Sequence, residues 1–215
     1  MDKVKKCYIF AGSPDAKCSE LVFDDDRYVI CADGGYLLAK KLGITPDVII
    51  GDFDTYTKKL PQSSDIEILK YPPEKDDTDT MLAVKLALNR GYRHIVICGA
   101  VGGRLDHTIA NIQALYYILK HEAYGELVSD GNYVYMQGPG VRVYNRMRGY
   151  YFSVFSYSGE CSGLSLTGFK YPLKNGTIKS SFPIGISNEI IGKSGIVSLD
   201  KGVLLVTFSK DMHQK

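Results

Sequence analysis

Residues 95–120, IVICGAVGGRLDHTIANIQALYYILK, pass from an apolar run through a glycine-rich turn into a run with helical periodicity. The apolar run 95–98 is typical of a buried strand. Within 105–120, apolar side chains recur at alternating steps of four and three, which predicts a helix with one apolar face. These side chains are Leu105, Ile109, Ile112, Tyr116 and Leu119. A strand that turns tightly into a helix predicts a mainly parallel sheet covered by helices.

The same alternation of strand and helix extends back to the N-terminus. Further apolar runs, at 7–11, 28–32, 48–50 and 66–69, predict buried strands. Helices are predicted at 35–42 and 80–89, with Thr78 or Asp79 capping the second. Ligands of such sheets bind beyond the carboxyl ends of the strands, so the loops at those ends are where a site is expected.

After about residue 125 the pattern changes to short β-rich runs without a long helical period. These runs lie at 133–137, 141–144, 150–155, 163–167 and 203–208, separated by turn signals such as Gly-Pro-Gly at 138–140 and Asn-Gly at 175–176. This pattern indicates an all-β sandwich or partial barrel. The expected fold is therefore an α/β N-terminal domain over 1–130 and a C-terminal all-β sandwich domain over 131–215.

Composition and charge exclude several classes of protein. The chain has 215 residues, of which 45% are hydrophobic, so it can bury a core and is not disordered. A net charge of +2 argues against nucleic-acid binding by bulk electrostatics, and no apolar run is long enough to cross a membrane. Residues 1–130 carry 20 acidic against 16 basic side chains, a net −4, whereas residues 131–215 carry 4 against 10, a net +6. Five cysteines without a CxxC pair favour a reduced, cytoplasmic protein.

The most distinctive acidic motif is Asp52-Phe53-Asp54, which directly follows the apolar run 48–50. Alternate side chains of extended chain point the same way, so Asp52 and Asp54 would present two carboxylates to one side. Two hard oxygen ligands suit Mg²⁺. A solvated turn rich in aspartate is the alternative.

A second acidic cluster, Asp76-Asp77-Thr78-Asp79, opens the predicted helix 80–89. Capping and the helix dipole favour acids at this place, but three aspartates exceed what one cap needs. A nearby cation is the other explanation for like charges placed so closely.

Two glycine turns connect predicted strands to predicted helices. In the turn 99–104, glycines lead into Arg104, and backbone N–H groups at such a turn can cradle a phosphate. Arg104, His107 and Asn111 share a helix face, and Asp106 could accept from a ligand or pair with Arg104. In the earlier turn Ala32-Asp33-Gly34-Gly35, Asp33 could cap the helix or contact a ligand. The sequence has no Walker A, protein-kinase or Gly-x-Ser-x-Gly motif.

Taken together and in this order, four motifs resemble the thiamine pyrophosphokinase family. They are Ala32-Asp33-Gly34-Gly35, Gly51-Asp52-Phe53-Asp54-Thr55, Lys75-Asp76-Asp77-Thr78-Asp79-Thr80 and Gly102-Gly103-Arg104-Leu105-Asp106-His107-Thr108. Ser187-Asn188 resembles the Ser-Asn element in the β domain of that family.

The resemblance implies transfer of the β,γ-diphosphate of ATP to the hydroxyl of thiamine, with Mg²⁺ required and AMP released. It implies a homodimer with active sites between subunits, whose N-terminal domain binds nucleotide and metal and whose C-terminal domain binds thiamine and dimerises. By resemblance the metal is held by Asp52, Asp54 and Asp79. The resemblance also implies a set of residues that contact the nucleotide: Asp33, Gly34, Gly35, Gly102, Gly103, Arg104 and His107. Thiamine contacts are assigned to Asp106, Ser187 and Asn188.

Several questions stay open at this level. Asp76, Asp77 or Asp106 could accept the thiamine proton. The chain has no Trp to stack on thiamine, as animal members of the family have. A related diphosphokinase acting on another hydroxymethyl heterocycle, such as a pterin, would share these motifs. A sensor of thiamine or nucleotide without turnover is a further alternative, but the intact set of Asp52, Asp54, Asp79 and Arg104 argues against it.

Overall fold

The computed structural model describes residues 5–12, 17–19, 21–53, 61, 64–72, 74 and 76–211. The chain divides into two compact units, Met1–Asp130 and Gly131–Lys215. Unit 1 combines parallel strands with helices, and unit 2 is built from antiparallel strands, which confirms the expected fold class.

Unit 1 contains a parallel sheet with the strand order β4-β3-β2-β1-β5-β6. Its strands are β1 (Lys6–Phe10), β2 (Arg27–Ala32), β3 (Val48–Gly51), β4 (Glu67–Lys70), β5 (His94–Cys98) and β6 (Tyr124–Ser129). Its helices are α1 (Gly35–Lys41), α2 (Asp79–Asn89) and α3 (Leu105–Lys120). The central strands are apolar and almost fully buried, as expected for a sheet covered on both faces.

Strand β6 is absent from the sequence prediction because it contains Gly125 and Glu126. The structure explains the glycine: a Cβ at position 125 would lie 2.9 Å from Leu115 Cδ2 and 3.1 Å from Ile118 Cδ1 of α3. Glycine therefore allows α3 to pack directly on β6. Glu126 has a partner on the neighbouring strand: its Oε1 lies 3.0 Å from Nε2 of His94, within hydrogen-bond distance.

Helix α3 is found as predicted, but the apolar face assigned to it is wrong. Its buried residues are Asn111, Ala114, Leu115 and Ile118. Leu105 and Ile109 of the predicted face are instead 72% and 50% exposed. Apolar residues surround most of this helix, so its periodicity did not decide which face packs on the sheet.

Unit 2 consists of two sets of antiparallel strands around one core. One set has the order β7-β13-β9 and the other β11-β10-β12-β8. The strands are β7 (Asn132–Gln137), β8 (Gly140–Asn145), β9 (Tyr150–Ser156), β10 (Glu160–Thr167), β11 (Leu173–Lys179), β12 (Ser194–Leu199) and β13 (Leu204–Lys210). Side chains from both sets, including Phe152, Leu164, Val197 and Phe208, form a single buried cluster, as in a sandwich.

Two features of unit 2 differ from the sequence prediction. Strands β11 and β12 were not predicted, and Asn175-Gly176 lies inside β11 rather than between strands. Asn175 has a φ of +47°, and the register between β10 and β11 shifts beside it. The Asn-Gly pair therefore produces a local irregularity in one strand instead of a hairpin turn.

Candidate active site

Three loops of unit 1 meet at the carboxyl ends of β1, β2 and β5. The N–H of Ala11 donates to the carbonyl of Cys98 at 2.9 Å, which joins the start of the loop after β1 to the last residue of β5. A Cβ at Gly12 would lie 3.2 Å from the nitrogen of Gly34, so the loops after β1 and β2 are also in close contact. This is the edge of the sheet at which a ligand is expected.

Glycine at position 35 is a requirement of the fold. A Cβ there would lie 1.9 Å from the carbonyl oxygen of Phe10. Helix α1 therefore begins with its backbone pressed against β1. The predicted nucleotide contacts of Gly34 and Gly35 remain predictions, because these distances account for Gly35 without a ligand.

Asp33 and Asp52 follow neighbouring strands. The N–H of Asp33 donates to the carbonyl of Ile50 at 2.8 Å, and a Cβ at Gly51 would lie 3.2 Å from the Cβ of Asp33. The sequence left two roles open for Asp33, and the capping role is wrong: α1 has Gly34 as its N-cap residue, with no side-chain cap hydrogen bond. The ligand-contact role stays a prediction.

The turn 99–104 is open to solvent on one side and anchored on the other. Gly99, Gly102 and Gly103 all have positive φ, and a Cβ at Gly102 would meet nothing within 4 Å. On the inner side, Asn111 Nδ2 donates to the carbonyl of Ala100 at 2.9 Å. Asn111 is only 7% exposed, so a buried amide on α3 holds the turn in place. Its anchoring role was not predicted from the sequence.

Arg104 and Asp106 form an exposed, two-pronged ion pair at the start of α3. Arg104 Nη2 lies 2.6 Å from Asp106 Oδ2, and Arg104 Nε lies 3.1 Å from Oδ1. This guanidinium, helped by the N–H of His107 at 3.0 Å, lowers the pKa of Asp106 to about 2. The side chains of Arg104 and Asp106 are 73% and 63% exposed, so an incoming anion can reach the guanidinium. His107 is exposed beside them.

Two residues of the acidic segment before α2, Asp77 and Thr78, make contacts that stabilise the fold. Thr78 is the N-cap residue, and its Oγ1 accepts from the N–H of Met81 at 3.1 Å, which confirms one of the two predicted caps. Asp77 is held by Lys85, whose Nζ lies 2.8 and 2.6 Å from its two carboxylate oxygens. Asp76 is exposed and Asp79 is half-buried in the first turn of α2.

The structure describes two of the three predicted metal ligands. Asp52 is half-buried after β3, Asp79 begins α2, and Asp54 lies outside the described residues. Within the described part of the chain, no three His, Cys, Asp or Glu side chains are grouped so that they could hold a metal ion. The carboxylates of Asp52 and Asp79 are hard oxygen donors of the kind that Mg²⁺ prefers, so the donor chemistry fits that ion.

In unit 2, the segment 185–188 lies beside β9 and is joined to it by backbone hydrogen bonds. The N–H of Val154 donates to the carbonyl of Gly185 at 2.8 Å, and Phe152 and Asn188 exchange backbone hydrogen bonds of 2.7 and 2.9 Å. Ser187 has a φ of +55°, an uncommon conformation for serine, and its N–H donates to Ser153 Oγ at 3.1 Å. The side chain of Ser187 is exposed and available to a ligand.

Asn188 is buried, and its amide is largely occupied by the protein itself. Its Oδ1 accepts from the N–H groups of Tyr171 at 3.0 Å and Glu189 at 2.9 Å, and its Nδ2 donates to the carbonyl of Tyr171 at 2.8 Å. Since an amide has two donors and two acceptor sites, at most one N–H of Asn188 remains for thiamine. The sequence motif identified Asn188 but not Tyr171, because their contact is tertiary.

A cavity of about 160 Å³ lies within unit 2 beside this segment. Its lining includes Arg146, Tyr150, Tyr151, Glu189 and Phe208. No motif in the sequence pointed to these residues as a group. In unit 1 and unit 2 alike, no described helix is long and apolar enough to cross a membrane.

Comparison with known proteins assigns both units to one group of enzymes. Residues 19–124 match the family profile "Thiamin pyrophosphokinase, catalytic domain", and residues 140–204 match "Thiamin pyrophosphokinase, vitamin B1 binding domain". Thiamine pyrophosphokinase of Bacillus subtilis strain 168 is 34% identical over 214 residues, which are 97% of this chain and 100% of that protein. Thiamin pyrophosphokinase 1 of Caenorhabditis elegans is 23% identical over 198 residues, with 86% and 81% of the two chains covered.

Solved structures show the same similarity. The crystal structure of thiamine pyrophosphokinase from Bacillus subtilis has a TM-score of 0.88 at 31% identity, covering 97% of this chain and 100% of that one. The structure of thiamin pyrophosphokinase from Geobacillus thermodenitrificans has a TM-score of 0.85 at 30% identity, with 97% and 99% covered.

Proposed function

Since this chain belongs to the thiamine pyrophosphokinase family, we propose that it transfers the diphosphate of ATP to thiamine, giving thiamine diphosphate and AMP. The observation that carries the proposal is the 34% identity to the Bacillus subtilis enzyme over essentially the full length of both chains. The protein is thus an enzyme, a thiamine diphosphokinase.

The reaction needs positioning and charge neutralisation more than covalent catalysis. The hydroxyl oxygen of thiamine attacks the β-phosphorus of ATP, the bond from that phosphorus to the oxygen bridging the α-phosphate breaks, and AMP leaves. We assign the binding of the phosphates to the turn 99–104, whose outer side is open, and to the guanidinium of Arg104. The ion pair with Asp106 holds that guanidinium in one orientation before ATP arrives.

The hydroxyl proton must pass to a base, for which Asp76, Asp77 and Asp106 are the candidates. Asp106 is a poor proton acceptor because its pKa is lowered to about 2. Asp77 is held through both carboxylate oxygens by Lys85. We therefore favour Asp76, which is exposed at the start of the same segment.

We also propose that the enzyme requires Mg²⁺, held by Asp52, Asp54 and Asp79. The support is the position of Asp52 after β3 and of Asp79 at the start of α2, together with the oxygen chemistry of the set. When bound, the ion would neutralise charge on the β- and γ-phosphates of ATP.

The two units would divide the substrates between them. We assign ATP and the metal to residues 1–130, with Asp33, Gly34, Gly35, Gly102, Gly103 and His107 around the nucleotide. Thiamine binding and dimerisation are assigned to residues 131–215, with Ser187 and the remaining N–H of Asn188 contacting thiamine. Asp106 is also assigned to thiamine. We propose a homodimer with active sites between subunits. A cytoplasmic location is proposed because all five cysteines are buried free thiols.

An assay of AMP release tests this function against its alternatives. The purified protein is incubated with ATP and either thiamine or a hydroxymethylpterin, and AMP is quantified. We expect AMP only with thiamine. AMP with the pterin would assign the chain to a related diphosphokinase, and thiamine binding without AMP would make it a sensor. The thiamine pyrophosphokinase relatives favour neither alternative.

A further inference from the structure

Two cysteine thiols lie against each other at the carboxyl end of the parallel sheet in unit 1. Cys98 is the last residue of β5, and Cys18 belongs to the chain that follows β1. The Sγ of Cys18 donates to the carbonyl of Val128 at 3.1 Å, and Val128 is the residue of β6 that pairs with Cys98. The two thiols are also joined by a hydrogen bond of their own. Both are buried and free, so a disulfide between them needs only a short movement of the two sulfur atoms.

The segment 17–19 is fixed to the end of β6, which holds Cys18 in this position. The N–H and Oγ of Ser19 donate to the two carboxylate oxygens of Asp130 at 2.7 and 2.6 Å. The N–H of Asp130 donates in turn to the carbonyl of Lys17 at 2.8 Å. The contact between the two thiols is therefore supported by hydrogen bonds on both sides of Cys18.

Their surroundings make the two thiols chemically unequal. Hydrogen bonds from the Cys98 thiol and from the N–H of Gly99 lower the pKa of Cys18, whereas burial raises the pKa of Cys98 well above its usual value. Burial also raises the pKa of the Cys31 thiol, near the end of β2. A thiol whose pKa is lowered reacts with an oxidant first, and a neighbouring thiol then resolves the product as a disulfide.

We propose that Cys18 and Cys98 form a reversible disulfide when hydrogen peroxide oxidises the protein, and that this bond lowers the activity of the enzyme. The Cys18 sulfur attacks one peroxide oxygen, the O–O bond breaks, and a sulfenic acid and water form. The Cys98 sulfur then attacks the Cys18 sulfur, the S–O bond breaks, and hydroxide leaves with the Cys98 proton as water. The two sulfurs together lose two electrons to the peroxide, and a dithiol reductant restores both thiols by exchange.

The bond would act on the turn 99–104, which begins directly after Cys98. The N–H of Gly99 and the Sγ of Cys18 donate to the same carbonyl, that of Val128, at 2.9 and 3.1 Å. A disulfide removes the Cys18 proton and draws the two sulfurs together, so the bond from Cys18 to Val128 is lost and the start of the turn shifts. This effect on activity rests on the proposed function, which assigns the phosphates of ATP to the turn. The disulfide itself does not depend on that assignment.

The test maps disulfides in the full-length protein after treatment with hydrogen peroxide. Remaining thiols are alkylated, and trypsin then places the five cysteines on five different peptides. We expect peptides 18–27 and 94–104 to be joined, two hydrogens lighter than their sum, and to separate in dithiothreitol. Cys18→Ala should abolish the joined peptide. Cys31→Ala is the matched control, a second buried thiol at the same end of the sheet, and should leave the joined peptide unchanged.

Steady-state kinetics on the same samples measure the effect on the enzyme. Because the turn is displaced, oxidation should lower kcat/KM for ATP by at least about threefold, and dithiothreitol should restore it. Cys18→Ala should keep its activity in peroxide. Cys31→Ala should lose activity in peroxide as the wild type does.

Absence of the joined peptide from the oxidised wild type would overturn the inference, and so would a bond from Cys98 to Cys31 in its place. A joined peptide with unchanged kcat/KM for ATP would refute the effect on activity. A reduced wild-type protein that releases no AMP would overturn the proposed function instead. The mass of the joined peptide distinguishes that result from a failure of the disulfide.

Discussion

Asn111→Ala tests whether the buried amide on α3 holds the turn 99–104, the proposed phosphate site, in position. The substitution removes the 2.9 Å hydrogen bond from Nδ2 to the carbonyl of Ala100. Ala100 is 2% exposed, so water cannot easily replace the lost donor. An unsatisfied buried carbonyl costs about 1–3 kcal/mol, and we expect the free energy of unfolding to fall by about 2 kcal/mol. For a unit of this size, that corresponds to a fall in Tm of roughly 6–10 °C.

The functional effect should be confined to the nucleotide. A turn released from its anchor no longer presents its N–H groups and Arg104 to the phosphates in a fixed geometry. Misplacement of a binding group costs catalysis steeply, so we expect kcat/KM for ATP to fall at least about tenfold. The KM for thiamine should change by less than about twofold, because thiamine is assigned mainly to unit 2.

Thermal unfolding and steady-state kinetics with each substrate varied provide the readouts. Gln113→Ala is the matched control, since Gln113 lies on the same helix but is exposed. It should leave both Tm and kinetics close to the wild type. If Asn111→Ala lowered Tm yet left kcat/KM for ATP unchanged, Asn111 would contribute to stability and not to nucleotide binding. The turn 99–104 would then not be the phosphate site.

Three further predictions concern the charged residues of unit 1. Arg104→Lys keeps the charge but loses the planar fork, so kcat/KM for ATP should fall about tenfold; an unchanged value would return Arg104 to the role of a surface ion pair. Asp54→Asn should nearly abolish turnover with an unchanged circular dichroism spectrum, and wild-type activity at limiting Mg²⁺ would refute the metal assignment. The pKa of Asp106 is lowered from 3.8 to about 2, so its ion pair is present above about pH 4 and is lost as the pH falls towards 2. NMR titration of the side chain should therefore show no ionisation of Asp106 between pH 4 and 8, and a midpoint in that range would contradict the ion pair.

The sequence predicted those elements whose characteristic residues are contiguous in the chain. Continuous apolar runs such as those of β1 and β5 are buried on both faces of the parallel sheet and needed no tertiary information. Strand β6 escaped prediction because Gly125 weakens its strand signal, and the reason for that glycine is a helix packed above it. The buried face of α3 was assigned wrongly for a related reason: apolar residues line several of its faces, and only the sheet decides which one packs inward.

The residues of the candidate site also differ in whether the local sequence could predict them. Acids and glycines that follow strands were predictable because they are close in sequence to the strands that place them. The anchoring bond of Asn111 and the clamp of Asn188 on Tyr171 join residues 11 and 17 positions apart. No short motif indicates such bonds. The sequence therefore predicted Asn188 as a ligand contact, which stays a prediction, and gave no sign of its bonds to Tyr171. The metal-binding role of Asp54 stays a prediction.

The fate of the β-phosphate tests the central claim most directly. The protein is incubated with thiamine, Mg²⁺ and ATP radiolabelled in its β-phosphate, and the products are separated by chromatography. Transfer of the diphosphate in one step predicts that all transferred label is found in thiamine diphosphate, with one unlabelled AMP formed for each. Label retained in ADP, with thiamine monophosphate as the product, would show transfer of the γ-phosphate alone and would contradict the account.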